Sequence, residues 1–312
     1  MSELLEKILS NDNMNAAYKR VCANKGAGGV DDVTVEELGD YIKEHWDGIR
    51  EQIRHREYKP QPVRRVEIPK PNGGVRKLGI PAMHDRAMQM LYKFAVEPIA
   101  EVTADPNSYG FRAGRCVQDA IEQCFTCLNK AKSPKWVLEG DIKGCFDNIS
   151  HEWIMDNIPM DRHVLKEFIK AGYVFKNQLF PTEKGSPQGG VISPILANMV
   201  LNGMETLVKS RFPKANLTRF ADDFAVIVDS PETAEKVRNL LVPFLAERGL
   251  ELSQEKTLIT HIDKGFDFLG WRFQKHRNQR RRILIVRPSD KSLEAIKASV
   301  KDAVLGQGNA KS

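Results

Sequence analysis

Two short apolar runs in this chain end on carboxylates. In "NLTRFADDFAVIVDS" (216–230), Asp222 and Asp223 stand side by side at the bend of an expected hairpin; in "WVLEGDIKGCFDNIS" (136–150), Asp141 closes an expected strand. If those strands are neighbours, three carboxylates converge at one end of a sheet. Left unpaired in apolar surroundings they would repel one another and raise their own pKa values. A divalent cation removes that cost. Hard oxygen ligands suit magnesium, which keeps waters and shares its coordination with substrate phosphates. Two such ions about 3.5–4 Å apart can activate an attacking hydroxyl and stabilise the leaving oxygen of an in-line phosphoryl displacement. The plain alternative, that "ADDF" is only a turn, fits poorly, because two-residue hairpins favour Asn-Gly or Asp-Gly where the backbone needs positive φ.

The elements that must position these carboxylates can be read around them. Residues 1–55 read as helical, with "TVEELGDYIKEHWDGIREQI" showing i, i+3, i+4 apolar spacing after Thr34 as N-cap. "RRVEIPKPNGGVRKLGIP" predicts a β-hairpin, and "AMHDRAMQMLYKFAVEPIAEV" and "RCVQDAIEQCFTCLNKAK" predict helices. After Asp141 a helix should open near Ser150 with Glu152 in its first turn, and "SPQGGVISPILANMVLNGMETL" runs from a turn into another helix. "FDFLGWRF" reads as one strand, "PSDKSLEAIKASVKDAVLG" as a helix, and "GQGNAKS" as a frayed tail. This mixed order predicts an α+β fold, with helices packed on a mostly antiparallel sheet.

Composition narrows the class. The 312 residues are 41% hydrophobic, enough for a sizeable core. No apolar run approaches the roughly 20 residues of a membrane span, and the N-terminus resembles no export signal, so the expectation is a soluble, unexported, cytoplasmic protein with no membrane partner. Five cysteines, with only Cys124 and Cys127 closely spaced, suit a reducing compartment, and that pair reads as helical packing. The net charge of +6 is concentrated in "IRHREYKPQPVRR" (53–65), "PKPNGGVRK" (69–77) and "RFQKHRNQRRR" (272–282). Basic stretches with aromatics and prolines between them predict a polyanionic partner, most economically nucleic acid.

Eight segments, in order, carry a resemblance: "NKGAGGVD", "YKPQPVRRVEIPKPNGGVRKLGIP", "DRAMQ", "SYGFRAGR", "EGDIKGCFDNI", "GSPQGGVISPILANMVLN", "RFADDFAVI" and "FLGWRF". Together they resemble the group II intron-encoded reverse transcriptase/maturases, over about residues 12–275. The resemblance implies a right-hand polymerase: an N-terminal extension and the start of the fingers in 1–64, fingers with the first palm helix in 65–135, a palm in 136–275 with a fingers segment near 160–185, and in 276–312 a connection toward a thumb the chain does not include.

Asp141, Asp222 and Asp223 are then implied to be the catalytic triad, holding two Mg²⁺ ions, for which Mn²⁺ can substitute, together with the backbone of Ile142. Phe146 falls at the aromatic gate that rejects a ribose 2′-hydroxyl. Lys70, Arg76 and Lys77 match positions that hold the incoming triphosphate, and Gln188 one that packs under the nucleotide. Arg54, Arg56, Lys59, Arg64, Arg65 and Arg112 are the expected RNA contacts. The implied partners are group II intron RNA, an RNA template with its DNA primer, and dNTPs, with a homodimer as a further candidate assembly. Two departures stand out: Phe220 where the family usually has Tyr, and Ala113 where it commonly has Pro. The implied activity is RNA-directed DNA polymerisation with help to intron splicing. Two alternatives are a splicing cofactor whose polymerase site is idle and a two-metal nuclease. The intact carboxylates argue against the first; the fingers cations, Phe146 and "SPQGG" argue against the second.

Overall fold

The computed structural model describes residues 3–69, 74–278 and 281–308, and the chain builds two compact units that it enters alternately. Residues 1–104, 144–202 and 246–250 form the first unit, and 105–143, 203–245 and 251–312 the second.

The first segment holds α1 (Glu3–Ile8), α2 (Asn11–Asn24) and α3 (Leu38–Arg54). The apolar spacing of α3 buries Leu38, Trp46, Ile49 and Ile53 on one face. The helix begins later than Thr34 predicts. Both the backbone N–H and the hydroxyl of Thr34 donate to Glu37 Oε2 (2.8 and 2.9 Å), which holds a turn over 35–37 before the helix starts. Next, β1 (Val63–Pro69) and β2 (Val75–Ile80) form the expected antiparallel hairpin, with Arg64 opposite Ile80 and Pro69 opposite Val75. Then comes α4 (Met83–Thr103), in which every residue from Met83 to Tyr92 is buried, polar ones included. The buried Asp85 is satisfied by Tyr58 Oη at 2.6 Å and the Gln61 N–H at 2.8 Å, as a buried carboxylate must be.

The second unit opens with α5 (Val117–Leu128) and β3 (Trp136–Asp141), which ends on the expected residue. Back in the first unit lie α6 (Cys145–Asn148), α7 (His151–Asn157), α8 (Arg162–Ile169), β4 (Tyr173–Phe175), β5 (Gln178–Phe180) and α9 (Ser193–Leu201). Ser150 caps α7 by accepting from the Trp153 N–H, as its sequence predicts. Strand β4 runs parallel to β1, giving a sheet ordered β2-β1-β4-β5.

The remaining elements are α10 (Met204–Arg211), β6 (Asn216–Phe220), β7 (Asp223–Val228), α11 (Pro231–Ala246), β8 (Leu258–His261), β9 (Phe266–Phe268), β10 (Trp271–Asn278), β11 (Arg281–Pro288) and α12 (Asp290–Gly308). Strands β6-β7-β3-β8 make one antiparallel sheet and β11-β10-β9 another. Their apolar residues share a core with α5: Cys124, Leu128, Val137, Ile227, Phe266 and Phe273 are all buried in it. Helices with mostly antiparallel sheets bear out the α+β expectation. "FDFLGWRF" is a hairpin and not one strand, because Leu269 and Gly270 both take positive φ (51° and 83°), the backbone of a tight turn. Helix α12 runs through Gly308, so the tail is helical further than expected. No helix among the described residues is long and apolar enough to cross a membrane.

Candidate active site

In the second unit, β3 and β7 are neighbours, and their register sets Asp141 directly opposite Asp223. On the other side of β7, Phe220 pairs with Asp223, which leaves Ala221 and Asp222 as the two-residue loop of the hairpin. Ala221 takes φ +56° at the first loop position, where a type II′ turn normally uses glycine. An L-residue there carries about 1 kcal/mol of strain.

Buried polar contacts hold that loop in place. Arg219, 1% exposed, donates from Nη1 to the Ala221 carbonyl at 3.0 Å. Its backbone is clasped by the preceding segment, donating to the Asn107 carbonyl and accepting from the Tyr109 N–H, both at 2.9 Å. Gly110 lies against the loop so closely that a Cβ there would stand 2.4 Å from the Ala221 nitrogen. The clasp is anchored in turn by the buried Glu205, which accepts from the backbone N–H and Nδ2 of Asn107 (2.9 and 2.6 Å).

The electrostatics fit a cation site. Surrounding protein, then the charges of Asp222 and Asp141, push Asp223 up to about 6 from an ordinary 3.8. Like charges directly opposite one another on paired strands are destabilising, so the arrangement needs positive charge nearby. Lys256 supplies some of it, with Nζ 2.9 Å from Asp141 Oδ1. Its pKa is raised by that hydrogen bond and by the charges of Asp141, Asp223 and Asp222. Among the described residues, no three His, Cys, Asp or Glu side chains are grouped tightly enough to surround an ion by themselves. A magnesium ion does not need such a cage, because water and substrate oxygens complete its shell. Ile142 forms an isolated bridge with Leu252, flanked by hydrogen bonds from Ser253 N–H to the Asp141 carbonyl (2.8 Å) and from Lys143 N–H to the Glu251 carbonyl (3.0 Å). That pattern directs the carbonyl of Ile142 away from the partner segment. The donor set is therefore all hard oxygen, suited to magnesium.

The first unit contains a cleft of about 340 Å³ lined by Arg65, Lys77, Phe146, Tyr173, Lys184 and Gln188, among others. The Arg65 guanidinium lies 3.3 Å from the centre of the Tyr173 ring, which itself stacks on Phe180. The carbonyl of Gln188 accepts from the Gly79 N–H at 2.7 Å, and Gly189, at φ +123°, packs against the Gly79 carbonyl. Arg76 is exposed on β2 beside Lys77. Lys70 lies outside the described residues.

The expected RNA contacts are scattered. Arg54 pairs with Glu6 and Glu51, and Arg64 with Asp32. Arg112 donates through Nη1 to the carbonyls of Asp105 (3.0 Å) and Ser108 (2.6 Å), which ties down the clasp around Arg219. Arg56 is exposed at φ +60°, and Lys59 is exposed beside a recess containing Tyr41 and His84. Sequence reasoning missed Lys256, Arg219 and Glu205; only their positions in space reveal them.

Residues 68–273 match the family described as reverse transcriptase (RNA-dependent DNA polymerase). Protein YkfC of Escherichia coli (strain K12) is 31% identical, covering 94% of this chain and 88% of its own length. The group II intron-encoded protein LtrA of Lactococcus lactis subsp. cremoris is 29% identical, covering 89% of this chain and 57% of its own. Among solved structures, telomerase from Candida tropicalis in complex with a TWJ fragment of telomeric RNA superposes with a TM-score of 0.55 at 16% identity, over 69% of this chain and 44% of that one. Telomerase from Candida albicans gives 0.54 at 13% identity, over 82% of this chain and 50% of that one. At such identities these two likenesses speak for the fold alone.

Proposed function

This chain belongs to the reverse transcriptase (RNA-dependent DNA polymerase) family, with group II intron-encoded proteins among its relatives, and we propose that it extends a DNA primer on an RNA template and binds its parent intron RNA to assist splicing. The observation that carries the reading is the facing pair Asp141 and Asp223, with Asp222 in the adjoining loop. These three carboxylates and the Ile142 carbonyl would hold magnesium. Two bound ions would supply activation of the primer 3′-hydroxyl and neutralisation of charge on the pyrophosphate that leaves.

The protein's own groups do the rest. Strands β3 and β7 fix the carboxylates before substrate arrives, so no reorganisation is needed as charge develops. Lys77 and Arg65 bring positive charge to the cleft for a triphosphate, Arg76 stands beside Lys77 on β2, and Lys70 would add a further cation. Phe146 lines that cleft, and its ring would clash with a ribose 2′-hydroxyl, which selects deoxynucleotides. Gln188 packs under the incoming nucleotide. Arg54, Arg56, Lys59, Arg64 and Arg112 would meet RNA phosphates and 2′-hydroxyls, which give affinity while shape gives specificity.

Template-directed incorporation by the Asp222→Asn variant tests the assignment. Loss of extension with RNA affinity kept within a few-fold is the expected result; a variant that still polymerises overturns it.

A further inference from the structure

The cleft that contains Phe146 is lined in part by Ser186, Pro187 and Gln188 of the loop 185–190, and that loop is tied to the backbone around Phe146 within the first unit. Ser186 N–H donates to the Phe146 carbonyl at 2.7 Å, and Gly185 N–H to the Ile149 carbonyl at 2.8 Å. Gly185 takes φ +82°, and a Cβ on it would fall 2.4 Å from the Phe146 carbonyl oxygen, so the two segments touch through bare backbone. On the far side, Ser186 Oγ donates to Ser193 Oγ at 2.7 Å, fastening the loop to the start of α9.

One further side chain closes this arrangement. His151, at the first position of α7, is 8% exposed, and its Nε2 lies 2.7 Å from the Gly185 carbonyl. A carbonyl only accepts, so Nε2 carries the proton. Nδ1 is buried without a hydrogen-bond partner among the described residues. Burial, its largest influence, also keeps the ring from protonating readily, by lowering its pKa. An orphaned buried nitrogen costs about 1–2 kcal/mol, and an apolar side chain of similar size would avoid that cost. What His151 offers in return is a side-chain donor to the Gly185 carbonyl.

We propose that His151 is a positioning residue for sugar discrimination: by holding the Gly185 carbonyl it fixes loop 185–190 against Phe146 and so sets where the Phe146 ring stands in the cleft. Its hydrogen bond reaches Phe146 through only two backbone steps, Gly185 and then Ser186. The inference rests on the reading of Phe146 as the gate.

The test is steady-state incorporation of dNTPs and rNTPs by purified protein. His151→Leu keeps the volume and removes the donor; His151→Gln restores a donor where Nε2 stood. His151→Leu should lower discrimination between dNTP and rNTP about tenfold, within the ~10²-fold that a misplacement of ~1 Å can cause, and should raise KM for dNTP more than it lowers kcat. His151→Gln should recover most of the loss. In the Phe146→Ala background, adding His151→Leu should change discrimination no further. If His151→Leu does not fold, Ser193→Ala loosens the same loop and should shift discrimination in the same direction by a smaller factor. Altered discrimination in Phe146→Ala beside unchanged discrimination in the His151 and Ser193 variants overturns the link alone. So does a His151→Leu effect that multiplies with Phe146→Ala. Unchanged discrimination in Phe146→Ala overturns the gate, and the role of His151 with it.

Discussion

Asp141 and Asp223 are cross-strand partners at the end of the β3–β7 pair, two carboxylates facing each other where an unconstrained sequence would place opposite charges or apolar residues. Lys256 offsets part of the repulsion through Asp141. On the proposed reading, this pairing gives up stability so that the folded protein can receive cations.

Replacing Asp223 should stabilise the protein while disabling it. Its pKa of about 6 in the fold lies above the ordinary 3.8. Between those values the folded chain holds a proton that the unfolded chain has released, so stability falls as pH rises from about 4 to 6 and stays lowered above. A shift of this size corresponds to about 3 kcal/mol in a dry site. The Asp223 side chain reaches solvent, and screening trims that to about 1 kcal/mol. Asp223→Asn should therefore melt about 2 °C higher at pH 7.5 and lose that advantage at pH 4. A variant that melts lower at pH 7.5 contradicts the account.

Lys256 should matter most when magnesium is absent. Lys256→Met removes the ammonium paired with Asp141, so the melting temperature without magnesium should drop. Saturating magnesium should then raise it by more than it raises the wild type, since whatever binds the folded state alone stabilises it. Equal magnesium-induced shifts in the two proteins would remove Lys256 from the cation site.

The loop carrying Asp222 depends on a close backbone approach. Gly110→Ala would place a methyl group 2.4 Å from the Ala221 nitrogen, and forced overpacking of this kind costs about 2 kcal/mol. Urea denaturation should show that loss, and extension should fall with it. A stability within about 0.5 kcal/mol of wild type would mean that the clasp yields freely.

RNA affinity should fall steeply with salt, since Arg56, Lys59 and their neighbours would act on phosphates and release counterions. Filter binding across a salt series measures the slope, and a flat dependence would exclude the basic stretch 53–65 as a phosphate contact.

Much of this site was legible in the sequence, for identifiable reasons. The end of β3 at Asp141 follows from the apolar run that precedes it, and the hairpin after Asn216 from alternation on both sides of the bend. The centre of the bend was not legible. The loop is Ala221-Asp222, because pairing with β3 and the clasp of Arg219 outweigh the preference against alanine at positive φ. Strand β11 is masked by its run of arginines, although Leu284 and Val286 alternate inward against the core while Ile283 and Ile285 stay exposed. Lys256 sits 115 residues from Asp141 along the chain, and only the folded sheet brings them together. His151 reads as an ordinary helix-opening residue until the Gly185 carbonyl is found on its ring.

The most direct measurement is primer extension on an RNA template with dNTPs, run in magnesium and again with a chelator, beside filter binding of group II intron RNA. Extension that depends on magnesium and disappears in Asp141→Asn, Asp222→Asn and Asp223→Asn alike is the predicted result. Tight RNA binding with no extension in magnesium, or extension that survives loss of any of the three carboxylates, would contradict the account.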